Sequence, residues 1–241
     1  MTLTDPTGYR PVPAGTNPPL AFEGYKSTAL RAPSQAPVIL RDRLTEVTGP
    51  LFGDSAHPRG PSDHDLTAQH SDEPIGQRIL VFGRVLDSDG RAVPDTLVEV
   101  WQANAAGRYA HVVDNWPAPL DPNFTGGGRV VTDSAGHYSF TTIKPGAYPW
   151  GNHHNAWRPA HIHFSLFGRA FTQRLVTQMY FPDDPLFAQD PIYNSVPDEA
   201  ARRRMISTFD LEATKPNRAL AYRFDIVLRG REQSVFEEPH V

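Results

Sequence analysis

Residues 220–229, LAYRFDIVLR, alternate: in an extended chain Tyr222, Phe224, Ile226 and Leu228 point one way and Arg223, Asp225 and Arg229 the other. That is a strand with one face on a core and one in water. Similar short runs at 77–86, 95–102, 129–132, 137–143, 160–167 and 173–181 are separated by turn clusters such as Asp87-Ser88-Asp89-Gly90 and Asp133-Ser134-Ala135-Gly136. Against them stands a single helix candidate, 196–209, where Ser195 and Asp198 have capping-box spacing and Pro197 crowds the start. The expected fold is all-β: a two-sheet β-sandwich core with a long N-terminal arm, extended loops and one short helix.

Residues 1–75 are rich in Pro, Asp, Ser and His with weak periodicity, the composition of an arm and loops that pack on another surface, with the sandwich occupying 76–241. At 241 residues, 39% hydrophobic and 10% aromatic, the chain can bury a large core, so its 24 prolines belong to ordered loops and strand ends. The net charge of -4 carries no basic field for nucleic acid, and Arg202-Arg203-Arg204 reads as the solvated face of the helix. The absence of cysteine excludes disulfides, thiolate metal sites and thiol nucleophiles. Residues 1–19 show no basic start followed by an apolar run, and no apolar run is long enough for a membrane span, so a soluble cytoplasmic protein is expected.

The chemistry-bearing stretch is Trp157-Arg158-Pro159-Ala160-His161-Ile162-His163-Phe164. Pro159 suits the first position of a strand, after which Ala160, Ile162 and Phe164 face one side and His161, His163 and Ser165 the other. Two imidazoles two residues apart on one face can reach a common metal, though a lone pair of this kind is often incidental. His57, His64, His70, His153 and His154 stand in loops without ligand spacing, and no carboxylate completes a facial triad. Tyr109 and Tyr148 each follow a glycine closely in a turn, which permits near approach of backbone to a site but equally suits a surface tyrosine.

The stretch 81–109, VFGRVLDSDGRAVPDTLVEVWQANAAGRY, resembles the signature of the intradiol ring-cleavage dioxygenases, with Gly83, Gly90, Glu99, Gly107 and Tyr109 in the expected places. IKPGAYPW at 143–150 and WRPAHIHF at 157–164 resemble the same family's second tyrosine and paired histidines. GYKST at 24–28 and LAYRFDIVLRG at 220–230 are similar to the β subunits of the family's protocatechuate 3,4-dioxygenases, and no helical dimerisation domain of the catechol 1,2-dioxygenase kind is legible in 1–75.

The resemblance implies a non-haem Fe(III) centre with Tyr109, Tyr148, His161 and His163 as ligands. A hard ferric ion favours anionic oxygen, and its field turns a phenol into a phenolate at neutral pH. It further implies that Tyr148 is the tyrosine that leaves and accepts a substrate proton, that Tyr109 stays, and that Arg158 offers a fixed cation near the activated ring. Tyr25, Trp150, Gln178 and Ile192 match positions beside the substrate. The implied partners are an aromatic diol, O2 and a related α subunit in an αβ unit of a larger assembly.

Gly151, Ala110 and Ala147 depart from many β subunits, which have arginine at the first two positions and proline at the third. Loss of a cation at Gly151 weakens the case for a carboxylated catechol, so hydroxyquinol or catechol remains an alternative to protocatechuate. A metal-free, transthyretin-like accessory sandwich is the alternative outside enzymology.

Overall fold

The computed structural model describes residues 12–35, 62–167 and 175–236. His57, much of the arm and the first two residues of the expected 173–181 strand lie outside these. Two sheets face each other. The first is built on β1 (Arg78–Leu86), which pairs antiparallel with β4 (His137–Ile143) and, on its other edge, runs parallel to β10 (Ala219–Arg223) and then β11 (Ile226–Val227). β9 (Thr208–Lys215) lies outside β10. The second sheet runs β3 (Gly127–Val131), β2 (Leu97–Gln102), β7 (His161–Phe167) and β8 (Leu175–Tyr180), antiparallel throughout. A two-residue ladder, β5 (Tyr148–Pro149) with β6 (Trp157–Arg158), stands apart.

The alternation in 220–229 survives intact: Tyr222, Phe224, Ile226 and Leu228 are buried, and Arg223 and Arg229 exposed. One register against β1 runs through the whole stretch, Phe82 opposite Arg223 and Val85 opposite Ile226, so β10 and β11 are one course interrupted at Phe224–Asp225. The interruption has a visible cause. Asp225 accepts the Arg84 amide proton in place of a backbone carbonyl, at 3.0 Å, and the Phe224 carbonyl approaches β1 so closely that any Cβ at Gly83 would collide with it. The Tyr138 hydroxyl donates to that same carbonyl.

Inward faces from both sheets, among them Val81, Val98, Phe140, Ile162, Phe164, Met179 and Phe224, form one core. Each large side chain buried this way contributes about 1.5–3 kcal/mol, against little for an exposed ion pair such as Arg203–Glu199, so the strand faces hold the fold. A smaller cluster of Tyr180, Val196, Ala201, Met205 and Val235 seats the helix Glu199–Arg204.

That helix is shorter than the expected 196–209. Asp198 itself is the cap, accepting from the Ala200 and Ala201 amides at 3.1 and 3.2 Å, while the Ser195 hydroxyl donates to the Ile192 carbonyl and closes a preceding helix, Pro191–Asn194. After Met205 the chain is drawn into extended form, with Ser207 donating to the Tyr180 carbonyl at 2.8 Å, and β9 begins at Thr208. With Thr28–Arg31, the described residues hold three short α-helices where one was expected.

The described part of the arm packs on this chain's own sandwich. Gly15 accepts from the Asp198 amide, Asn17 accepts from the Phe236 amide, and Leu66 is part of the core. Among the described residues no helix is long and apolar enough to cross a membrane.

Candidate metal and substrate site

Because Ile162, Phe164 and Met179 turn into the core, their neighbours His161, His163, Gln178 and Tyr180 must turn outward. The register of β2, β7 and β8 puts Trp101, His163 and Gln178 in one row across the sheet, with His161 opposite Tyr180 in the next. The Trp101 ring stacks flat on the His163 imidazole, 4.8 Å between centroids.

Two loops carry the tyrosines over this row, and glycine lets them interlock. Gly107 has φ +77°, and a Cβ there would strike the Ala147 carbonyl; a Cβ at Gly146 would sit 2.6 Å from the Gly107 nitrogen. The Gly146 amide donates to the Asn104 carbonyl at 2.9 Å, and the Asn104 side chain accepts from the Ala106 and Arg108 amides. Asp114 accepts from the Tyr109 amide at 2.8 Å and so sets where Tyr109 leaves the loop.

Tyr109, Tyr148, His161 and His163 thus come together from three separate segments. The two imidazole Nε2 atoms are 3.2 Å apart, the Tyr148 hydroxyl is 3.4 Å from His161 Nε2, and the tyrosine rings meet edge to face at 5.5 Å. His161 Nδ1–H donates to the Pro159 carbonyl at 2.7 Å, which leaves a lone pair on Nε2 directed at the cluster. Burial, then the Arg158 charge, depresses both histidines: His161 falls well below the usual range and His163 to about 3. Both rings are therefore neutral donors at physiological pH. The Tyr109 hydroxyl is buried without a hydrogen-bond partner, and burial with the neighbouring Tyr148 raises its pKa well above normal. An orphaned buried phenol beside two neutral imidazoles is costly unless a further group is bound there. Among the described residues no cluster of three or more His, Cys, Asp and Glu side chains gathers, so the donor set on offer is two nitrogens and two phenol oxygens, suited to a hard trivalent cation.

Arg158 is not a surface residue. The residue is 4% exposed, and its guanidinium forms a buried ion pair with Asp190, Nε to Oδ1 3.1 Å, while Nη2 donates to the Tyr180 hydroxyl at 3.1 Å and to Gln178 Oε1. Burial, the largest influence, opposes its charge, and Asp190, Tyr180 and Tyr148 together more than offset it, raising the pKa well above the ordinary arginine value. Tyr25 meets Trp150 edge to face at 5.1 Å, with the Arg31 guanidinium 4.5 Å above the Tyr25 ring. Ile192 stands apart from these: with Gln178 and Val196 it lines a separate small void beneath.

A cleft of about 790 Å³ opens over the cluster, with Tyr109 and Tyr148 in its wall beside Trp101, Trp116 and Trp150. Among the described residues no lysine or arginine lines it. Gly151 is at its edge, where an added Cβ would meet nothing within 4 Å and the backbone does not demand glycine. His64 and His70 bond to Ser139 and Thr125 in their loops, away from the cluster.

Asp190, Tyr180, Trp101 and Asn152 are parts of this region that sequence reasoning did not single out. Trp101 had a signal, since it is two residues from Glu99 on the outward face of a strand; Asp190-Pro191 reads from sequence only as a helix start.

Residues 47–230 match the family described as Dioxygenase, and residues 9–43 match that described as Protocatechuate 3,4-dioxygenase beta subunit N terminal. The chain belongs to the intradiol dioxygenase family. It is 56% identical to the protocatechuate 3,4-dioxygenase beta chain of Burkholderia cepacia, over 98% of this chain and 100% of that one. It is 33% identical to the protocatechuate 3,4-dioxygenase alpha chain of Pseudomonas putida, over 67% and 76%. Among solved structures, the mercury-inhibited catechol 1,2-dioxygenase of Acinetobacter sp. ADP1 matches with a TM-score of 0.51 at 25% identity, over 73% of this chain and 61% of that. The 3-chlorocatechol 1,2-dioxygenase of Rhodococcus opacus 1CP, at 0.53 and 23%, covers 68% and 64% and shares the fold. Intradiol dioxygenases are enzymes that use non-haem Fe(III), and the accessory-domain alternative gives way to an enzyme.

Proposed function

We propose that this chain opens the ring of protocatechuate (3,4-dihydroxybenzoate) between its two hydroxylated carbons, using O2, to give 3-carboxy-cis,cis-muconate. The observation that carries the reading is the convergence of two phenols and two imidazoles, one phenol orphaned, with both phenols in the wall of an aromatic cleft. Tyr109, Tyr148, His161 and His163 would hold a non-haem Fe(III). When bound, that ion supplies the Lewis acidity and electronic coupling that a singlet catechol needs to react with triplet O2.

The chain's own residues do the rest. Tyr148, with that ion bound, would accept a catechol proton at its phenolic oxygen. The His161–Pro159 hydrogen bond fixes the tautomer that keeps Nε2 available. Arg158, dry and charged, stabilises negative charge developing on the ring. Trp150 lines the cleft that would take the ring, and Tyr25 packs edge to face against it. The arm and an α chain related to this one complete an αβ unit, in keeping with the 33% identity to an alpha chain.

A second reading, cleavage of a catechol with an uncharged substituent such as hydroxyquinol, is favoured by the lack of a lining cation among the described residues and by the open space at Gly151. One experiment tests both. The full-length chain, produced with its α partner under iron-replete conditions, is expected to be coloured by tyrosinate–Fe(III) absorption and to show its highest kcat/KM with protocatechuate in a panel with catechol, hydroxyquinol and gallate. A coloured enzyme preferring hydroxyquinol selects the second reading, and a colourless, inactive one removes both.

A further inference from the structure

Arg158 is the only cation among the described residues buried against the candidate cluster, and what holds it is Asp190, a residue 32 positions away at the start of the helix Pro191–Asn194. Asp190 is fully buried. Its Oδ1 lies 3.1 Å from Arg158 Nε and accepts the Ile192 amide at 2.9 Å; its Oδ2 accepts the Tyr180 hydroxyl proton at 2.8 Å. Tyr180 in turn accepts from Arg158 Nη2. One carboxylate therefore links the guanidinium, by an ion pair, with the β8 tyrosine and the Ile192 helix, by hydrogen bonds.

We propose that Asp190 is the positioning residue of the ring-opening reaction, fixing the Arg158 guanidinium in the orientation from which it faces the reacting ring; this rests on the functional reading above. The physical reason is specific. A guanidinium on a long side chain helps a reaction only if it is already oriented when charge develops, and reorientation in the transition state would forfeit the gain. Gln178 and Tyr180 offer neutral acceptors to Nη2 alone. Asp190 alone supplies a charge, at ion-pair distance from Nε though without a hydrogen bond to it, while Nη2 donates to Gln178 and Tyr180, so the guanidinium is held by directed bonds at Nη2 and by a fixed opposite charge beside Nε. Asp190 is also anchored to backbone through Ile192, so the reference for Arg158 is a helix terminus and not another mobile side chain.

The test is a double-mutant cycle in the full-length protein with its α partner. Asp190→Asn preserves shape and capping and removes the charge; it is expected to lower kcat about tenfold or more while KM for the catechol changes less than about threefold. In an Arg158→Gln background the same substitution is expected to cause no further loss, because Asp190 then has nothing to orient. A second readout is independent of turnover: unfolding of the metal-free proteins should show the same non-additivity. If Asp190→Asn yields no folded protein, Tyr180→Phe removes the shared hydroxyl while keeping both charges and is expected to lower kcat about two- to fivefold. Full kcat in Asp190→Asn, or an equal additional loss on the Arg158→Gln background, overturns the proposal while the functional reading stands. A wild-type enzyme that opens no catechol ring sinks both.

Discussion

His163 shows what a single side chain contributes before any ligand arrives. Its imidazole is pressed between Trp101 and His161, with Arg158 nearby, and its pKa is held down at about 3 where the unfolded chain has about 6.5. The sign follows directly. Between these values the unfolded chain binds a proton that the folded chain refuses, so stability rises with pH and is lost as pH falls through the unfolded value. The slope is about 1.4 kcal/mol per pH unit, and since His163 is half-buried, about 2 kcal/mol between roughly pH 6.5 and 4.5 is the upper end. Denaturant titrations of metal-free wild type and His163→Gln across that range should therefore converge as the pH falls, the wild type losing its advantage. Parallel curves would mean that the folded imidazole titrates normally. None of this was legible in a His-x-His spacing, which says that two rings share a face and nothing of what surrounds them.

At the scale of elements, the decisive contact is between two loops. The turn before Tyr109 and the turn before Tyr148 pass so closely that Gly107 and Gly146 have no room for a side chain, and the positive φ at Gly107 adds a conformational demand. Gly107→Ala must both strain the backbone and push the Ala147 carbonyl, so the loss of stability should reach about 2–3 kcal/mol, above the usual range for a glycine substitution in a strained turn alone. More tellingly, both tyrosines should shift together, so metal content should drop with stability; Gly90→Ala, whose Cβ meets nothing, should leave metal content intact. Thermal melts with iron analysis of the two variants check this. The elements that sequence resolved most plainly are those with one buried face: β1 and the 220–229 course alternate, and β4 does so over most of its length, whereas β7 is buried almost throughout. β9 was missed because Phe209 and Leu211 are exposed, so its residues carry no core pattern. The helix was overextended because Arg202-Arg203-Arg204 continues a helical composition up to the point where Tyr180, from another strand, captures Ser207. The Arg158–Asp190 pair belongs to the same class of miss, a contact made by folding between residues that nothing in the chain links beforehand.

Over the whole molecule, the question is how a long arm comes to bear on a cleft at the far side of a sandwich. Asn152 is the connection. Its Oδ1 accepts the Lys26 amide at 2.8 Å and its Nδ2 donates to the Gly24 carbonyl at 2.7 Å, clamping the arm beside Trp150 with Tyr25 between them and the cleft edge at Gly151. Asn152 is buried, so removing its side chain would strand two backbone groups as well as two hydrogen bonds, a local cost of about 2–3 kcal/mol. The Thr28 hydroxyl, by contrast, bonds within the turn itself, to the Phe22 and Tyr25 carbonyls. Asn152→Ala should therefore release residues 22–31 without unfolding the sandwich, whose core lies elsewhere. If Tyr25 contacts substrate, KM should rise about tenfold with kcat nearly unchanged, because binding is lost and the reacting centre is not. Limited trypsin digestion provides the control: cleavage after Lys26 and Arg31 should accelerate in the variant. Faster cleavage with an unaltered KM would show that the arm is docked as described and that Tyr25 plays no part in holding the substrate.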